Sequence, residues 1–401
     1  MKERSKVMNK DTTHFTSKID YTLIFIVFLL GCISIIAIYF APITSSNLTA
    51  KEFVVRQIFW YVISSLLAIG IMLFDYERFK WISWFLYGIL MLLLLGLLAQ
   101  KHGVPVPFAA GDTSGAFSWY NLPAFGSLQP SEFMKIDLIL LISQIMIKHH
   151  DSLVVQTTRD DLRLIGKILG ISLPPLALVL LQPDLGTVTV FIAIMASMLL
   201  VSGIHWKIIF GMFAVGILGI ISIIVSYFIN PKIIEFILKA HQLDRFRGWL
   251  DPIHNQNNEG YQLLQSLMTI GSGELYGQSP KVIKDISLPA GWTDFIFSTI
   301  SGVFGFIGAS VTIAIFFLLI YRIVNAALKT HDPYGTYIAT GIIGMLTFTI
   351  FENIGMTVQI MPITGIPLPF LSYGGSSLLT NFFAIGLILS IEARSRQYMF
   401  D

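Results

Sequence analysis

The residues best able to do chemistry in this 401-residue chain stand at the edges of its apolar runs. In LPAGWTDFIFSTI (288–300), Asp294 comes one residue before a long, mostly apolar stretch, Phe295 to Ile323. A carboxylate at the mouth of a bilayer is costly, so its presence asks for a reason. In QPSEFMK (129–135), Pro130 suits a helix start and Glu132 falls in the first turn, where the helix dipole favours negative charge. Lys135, three residues on, shares that face. The two are either a structural ion pair or the lining of a polar cavity. In LLQPDLGTVTV (180–190), Pro183 breaks one helix and Asp184 is placed to cap the next.

Two further stretches suit anions. KAHQLDRFRGWLDP (239–252) mixes Lys239, Arg245 and Arg247 with Leu243, Phe246, Trp249 and Leu250, the composition of a segment lying in a membrane interface. Its arginines either anchor that segment or hold a lipid phosphate or diphosphate in bidentate fashion. In LPFLSYGGSS (368–377), Ser372, Gly374, Gly375 and Ser376 precede another apolar run. The glycine pair permits close backbone approach, and the helix N-terminus behind it offers N–H groups to an anion. A tight turn would use the same residues.

The elements that must position these groups are membrane helices. Hydrophobic residues make up 54% of the chain, charged residues only 12%, and the mean hydropathy is +0.73. Soluble globular chains carry roughly a quarter charged residues. A net charge of +2 leaves no electrostatic footprint for nucleic acid. The single Cys32 excludes an intramolecular disulfide and a cysteine-based metal site. The apolar run Ile19 to Phe40 is long enough to span and too long for a signal-peptide core.

Runs of about 18 or more apolar residues predict about ten spans, near 20–41, 53–74, 81–99, 130–148, 164–181, 185–202, 205–229, 295–323, 334–360 and 372–392. An even number puts both termini on one side. That side carries Lys2, Arg4, Lys6, Lys10 and Lys18, then Arg78, Lys80, Lys148, Arg159, Arg163, Lys207, Arg322, Lys329, Arg394 and Arg396. By the positive-inside rule it is cytoplasmic. Two long extracellular loops, about 100–129 and 230–294, and the short segment 362–377 then share the outer face. GYQLLQSLMTIGSGELYG (260–277) opens as an apolar helix too short to cross, which predicts a re-entrant half-helix. The expected fold class is an all-α polytopic membrane protein, one domain over 1–401, with any chemistry on its extracellular side.

Seven blocks, in order and over nearly the whole chain, resemble the SEDS family (shape, elongation, division and sporulation) of polytopic peptidoglycan polymerases. They are GAFSWYNLPAFGSLQPSEFMKI (115–136), QPDLGT (182–187), RFRGWLDP (245–252), GYQLLQS (260–266), TDFIF (293–297), GFIGAS (305–310) and PITGIPLPFLSYGGSS (362–377). The GSLQPSEFMKI version and the short cytoplasmic tails look more like the elongation member, RodA, than the division member, FtsW. The resemblance implies a multi-pass glycosyltransferase of the bacterial cytoplasmic membrane that joins lipid II disaccharides into glycan strands for cell elongation and shape. The growing glycan would be the donor and undecaprenyl diphosphate the leaving group.

Asp294 matches the family's catalytic aspartate and would act as general base on the acceptor hydroxyl. Trp119 matches its functional loop tryptophan, and Glu132 with Lys135 its central-cavity pair. Substrate contacts are also expected at Ser372, Gly374, Gly375 and Ser376. Positive charge for the diphosphate would come from Arg245, Arg247, Lys135 or a divalent cation, Mg2+ or Mn2+, for which no ligands are assigned. The implied partners are lipid II, the nascent glycan strand and a class B penicillin-binding protein, the transpeptidase that crosslinks the strand. Thr293 is placed to cap a helix beginning near Asp294.

The chain departs from the family around that aspartate. Where the family usually reads Leu-Pro-Glu-x-His-Thr-Asp and then Glu-Glu-Leu-Gly, this chain has Ala290, Trp292, Gly302 and Val303. Ser118 precedes Trp119 where arginine is common. A different class, a lipid II flippase or transporter gated by Asp294 and the cavity charges, would spread its charges across both halves of the membrane. Their collection at the outer mouth favours the enzyme.

Overall fold

The structure, a computed structural model, describes residues 19–43, 49–111, 117–123, 126–152, 157–229, 240–255 and 259–395. In chain order its elements are α1 (Tyr21–Phe40), α2 (Ala50–Leu73), α3 (Phe79–Lys101), β1 (Tyr120–Leu122), β2 (Gly126–Leu128), α4 (Pro130–Asp151), α5 (Thr158–Leu181), α6 (Leu185–Val201) and α7 (Trp206–Ile229). There follow α8 (Ala240–Leu250), α9 (Glu259–Ser272), α10 (Pro280–Asp285), α11 (Ile296–Lys329), α12 (Pro333–Thr357) and α13 (Gly375–Ser395). Every span expected from hydropathy is a helix here. Seven of them are long and apolar enough to cross a membrane on composition alone: α1, α2, α3, α5, α11, α12 and α13.

Helix starts follow local chemistry. Asp20 caps α1 by accepting from Thr22 N and Leu23 N at 2.9 and 3.1 Å. Thr49 and Glu52 form a reciprocal capping box on α2. Asp332 caps α12 with Pro333 at its first position, and Pro130 opens α4 in the same way.

One end of the bundle is tied by charged and polar pairs. Arg322 Nε and Nη2 donate to Asp20 Oδ2 at 2.9 and 2.6 Å, joining the start of α1 to the end of α11. Tyr76 OH donates to Asp332 Oδ2 at 2.9 Å, and Arg394 donates to the carbonyls of Met72 and Leu73. This basic end is the cytoplasmic one by the positive-inside rule. Lys2, Arg4, Lys6, Lys10, Lys18, Lys239 and Arg396 lie outside the described residues.

The predicted re-entrant element is α9. At 14 residues it is too short to cross, and the chain after it is bonded into a break in α11. At Gly305 the backbone leaves the helix (φ 66°, ψ −165°). Across that break Phe306 N donates to Glu274 O at 2.9 Å, Ile307 N to Leu275 O at 3.3 Å, and Gln278 N to Gly302 O at 2.9 Å. Three of the backbone groups released by the break are therefore satisfied inside the protein, as a membrane environment requires. A Cβ at Gly277 would overlap Val303 O, and one at Gly305 would overlap Gly277 N. The same packing accounts for Gly302. A Cβ there would sit 2.8 Å from Thr269 Cγ2 and 2.9 Å from Ile283 Cδ1, so this position faces α9 and α10 and has no room for a glutamate.

Candidate active site

At the outer end of the bundle lies a cavity of about 410 Å³. Its wall combines Trp119 from the hairpin segment, Glu132 and Lys135 from α4, and Asp184 at the start of α6. Arg245 from α8, the 292–294 turn, the 364–367 loop and the start of α13 complete it. Of the residues expected at a site, Trp119, Glu132, Lys135, Arg245, Asp294, Gly374, Gly375 and Ser376 line this cavity; Arg247 and Ser372 do not.

Asp294 sits in a turn that the helix expectation did not foresee. Ala290 adopts φ 53°, and its carbonyl accepts from Thr293 N at 3.0 Å, Phe295 N at 3.1 Å and the Thr293 hydroxyl at 3.3 Å. This knot delays α11 until Ile296, with Phe295 in the cap position and giving no side-chain cap. Thr293 therefore does not cap the helix, and Asp294 precedes its first turn.

Behind the turn stands a residue that sequence reasoning passed over. Asn353 on α12 is fully buried, and its Nδ2 donates to Asp294 O and to Ile366 O, both at 2.7 Å. A lone amide inside an apolar span was the available signal.

Ser372 holds the same turn from another side: its Oγ accepts from Leu368 N and donates to Thr293 O, both at 2.7 Å. Ser34 Oγ donates to Leu371 O at 2.7 Å and Gln57 Nε2 to Ser372 O at 3.2 Å, clamping this turn onto α1 and α2. The glycine and serine stretch thus divides by task. A Cβ at Gly375 would overlap the Trp60 ring, while Ser376 Oγ accepts from Gln129 N at 3.0 Å and donates to Ser127 O at 3.2 Å. Gly374 opens onto the cavity, with Ser377 Cβ its nearest facing atom at 4.0 Å.

The charges are unequal partners. Lys135 Nζ lies 2.6 Å from Glu132 Oε1, and these residues are only 5% and 3% exposed, so each is neutralised by the other in the cavity wall. Asp184 caps α6 through Thr187 N at 3.0 Å, as its position predicted, and also accepts from Gln129 Nε2 at 2.9 Å. Arg245 Nη1 donates to Thr364 O at 3.2 Å, which turns this guanidinium toward the cavity. Trp292, in place of the family's histidine, packs at a tilt against Phe53 with ring centroids 5.7 Å apart, and Phe53 meets Tyr373 edge-on at 4.9 Å, giving the cavity an aromatic flank. Among the described residues no three His, Cys, Asp or Glu side chains converge.

Residues 20–397 match the cell cycle protein family that groups FtsW, RodA and SpoVE. The chain is 32% identical over 392 residues to stage V sporulation protein E of Bacillus subtilis, covering 96% of this chain and 100% of that one. It is 30% identical to the peptidoglycan glycosyltransferase RodA of Treponema pallidum (94% and 98% covered) and 31% identical to a probable peptidoglycan glycosyltransferase FtsW of Geobacter sp. strain M18 (94% and 97%). Among solved structures, a chain from a peptidoglycan synthase complex that coordinates polymerization and crosslinking superposes with a TM-score of 0.75 at 26% identity, covering 96% of this chain and 99% of that one. The rod shape determining protein RodA of Thermus thermophilus shares the fold, with a TM-score of 0.64 at 24% identity over 96% and 98% of the two chains.

Proposed function

The chain belongs to the FtsW/RodA/SpoVE cell cycle protein family and is a multi-pass peptidoglycan glycosyltransferase of the cytoplasmic membrane; from that premise we propose that Asp294 is its general base and lipid II its substrate. The observation that carries this is the placing of a carboxylate, Asp294, and a guanidinium, Arg245, both close to one glycine, Gly365, at the outer cavity. The acceptor sugar hydroxyl, its proton passing to Asp294, forms a new bond to the anomeric carbon of the lipid-linked strand. The bond from that carbon to the diphosphate oxygen breaks, and the diphosphate leaves with the electron pair. Arg245 faces the negative charge that develops there. A divalent cation would add positive charge by arriving on the diphosphate itself.

The finer assignment is elongation rather than division. It rests on the GSLQPSEFMKI version, since relatives named RodA, FtsW and SpoVE stand at similar identities. The proposed partner is a class B penicillin-binding protein whose single membrane helix packs on this chain. An apolar groove of about 470 Å³ between α11 and α12, lined by Ile313, Phe317, Phe351 and Gly355 among others, suits such a helix.

The test is purified protein incubated with labelled lipid II in detergent, with glycan polymer resolved on a gel. Asp294→Asn keeps the size of the side chain and cannot take a proton at neutral pH. Normal membrane levels with polymerisation lower by at least about 100-fold are expected, the usual scale for a general base. A variant that polymerises at near wild-type rate removes Asp294 from the chemistry.

A further inference from the structure

We propose that the space over Gly365 is the subsite where the acceptor hydroxyl meets the scissile sugar–diphosphate bond, and that Asn353 is the positioning residue that sets Asp294 against it. This rests on the general-base assignment for Asp294. Several glycines of this chain are required because backbone or an aromatic ring crowds them. Gly365 is different. A Cβ built on it would lie 3.3 Å from Asp294 Oδ2 and 4.0 Å from Arg245 Nη1, with no other facing atom within 4 Å. The missing side chain therefore leaves a notch bounded by one carboxylate and one guanidinium. A substrate oxygen packed over this glycine meets both the base and the cation. That is the disposition the transfer needs, a proton leaving toward Asp294 while negative charge grows toward Arg245.

The residues on both sides of the notch are fastened. Thr364 O accepts from Arg245 Nη1 at 3.2 Å. Asn353 Nδ2 bridges Ile366 O and Asp294 O at 2.7 Å each, so one buried amide sets the spacing between the notch and the residue that carries the base. Asn353 Oδ1 has no hydrogen-bond partner among the described atoms, which leaves those two bonds as the polar work of this side chain.

The experiment measures kcat and KM for labelled lipid II in detergent, with melting temperature, for Gly365→Ala, Gly365→Asn, Asn353→Asp and Asp294→Asn. Gly365 has φ +73°, a region that asparagine tolerates better than alanine. If backbone strain alone mattered, Gly365→Asn would outperform Gly365→Ala. The notch predicts the reverse order or equal loss, about 100-fold for either. Asn353→Asp keeps the shape but sets a buried carboxyl group against two carbonyls, so the melting temperature is expected to fall; at temperatures where the variant stays folded, kcat is expected to fall about 10–100-fold with KM held. Gly365→Asn at near wild-type turnover, or Asn353→Asp with unchanged kcat, overturns the proposal. If the Gly365 variants fail to fold, Asn353→Asp decides it. An Asp294→Asn protein that still polymerises defeats the general-base assignment itself, whereas an inactive Asp294→Asn beside fully active Gly365 and Asn353 variants defeats only the notch.

Discussion

Arg245 and Arg247 are two positions apart on α8, and two positions on a helix project about 200° apart. Only Arg245 lines the cavity. Arg245→Gln is accordingly expected to weaken lipid II use strongly and Arg247→Gln far less, read from polymerisation rates across lipid II concentrations. Equal effects would return both to anchoring α8 at the interface. Glu132 and Lys135 make a different case. Removing one member of a buried pair leaves the other charged and unpaired, a loss of about 3–5 kcal/mol, whereas removing both is much cheaper. Glu132→Gln should lower the melting temperature of the purified protein clearly, and Glu132→Gln combined with Lys135→Met should restore most of it. Polymerisation that stays lost in the restored double variant would give the pair a role in the reaction beyond stability.

At the scale of elements, the broken α11 and the re-entrant α9 depend on each other. Gly277 and Gly305 meet backbone on their open sides, so an added methyl must displace main chain; overpacking of this kind costs about 1–3 kcal/mol or more. Gly271, within α9, has nothing within 4 Å of its would-be Cβ. Gly271→Ala is therefore expected to hold or raise the melting temperature, by about 0.5–1 kcal/mol of helix stabilisation, while Gly277→Ala and Gly305→Ala lower it. Gly302→Glu, which restores the family's residue, belongs with the damaging changes, because Thr269 and Ile283 occupy that space. A gain of polymerisation from Gly302→Glu would contradict this packing account.

At the scale of the whole molecule, the basic, ion-paired end and the cavity lie at opposite ends of the bundle, which places the reaction outside the cell. Its product, a glycan strand, then emerges where a crosslinking partner would work. Co-purification with a cognate class B penicillin-binding protein is expected to raise the polymerisation rate, and polar substitutions of exposed residues in the α11–α12 groove, such as Phe317→Gln, are expected to reduce that gain. No change in rate with any cognate partner would count against the pairing.

The spans, their orientation and the short re-entrant helix could all be read from the chain, because hydropathy, length and Lys/Arg bias are local and a bilayer's thickness is constant. The cap at Asp184 was readable for the same reason: it acts on an N–H group three residues away. The family blocks marked Asp294 and Glu132 with Lys135. Only packing settled the rest. Asn353 reaches a carbonyl 59 positions away in sequence, and Ser376 reaches the hairpin across 249. The knot at Ala290, which takes Asp294 out of the helix, is seated where Ser372 and Asn353 hold it. Which arginine faces inward, which glycine is crowded and which is open are likewise set by neighbours far along the chain. Contacts of that range depend on how helices cross, and helix crossing is decided by the assembled bundle rather than by any window of sequence.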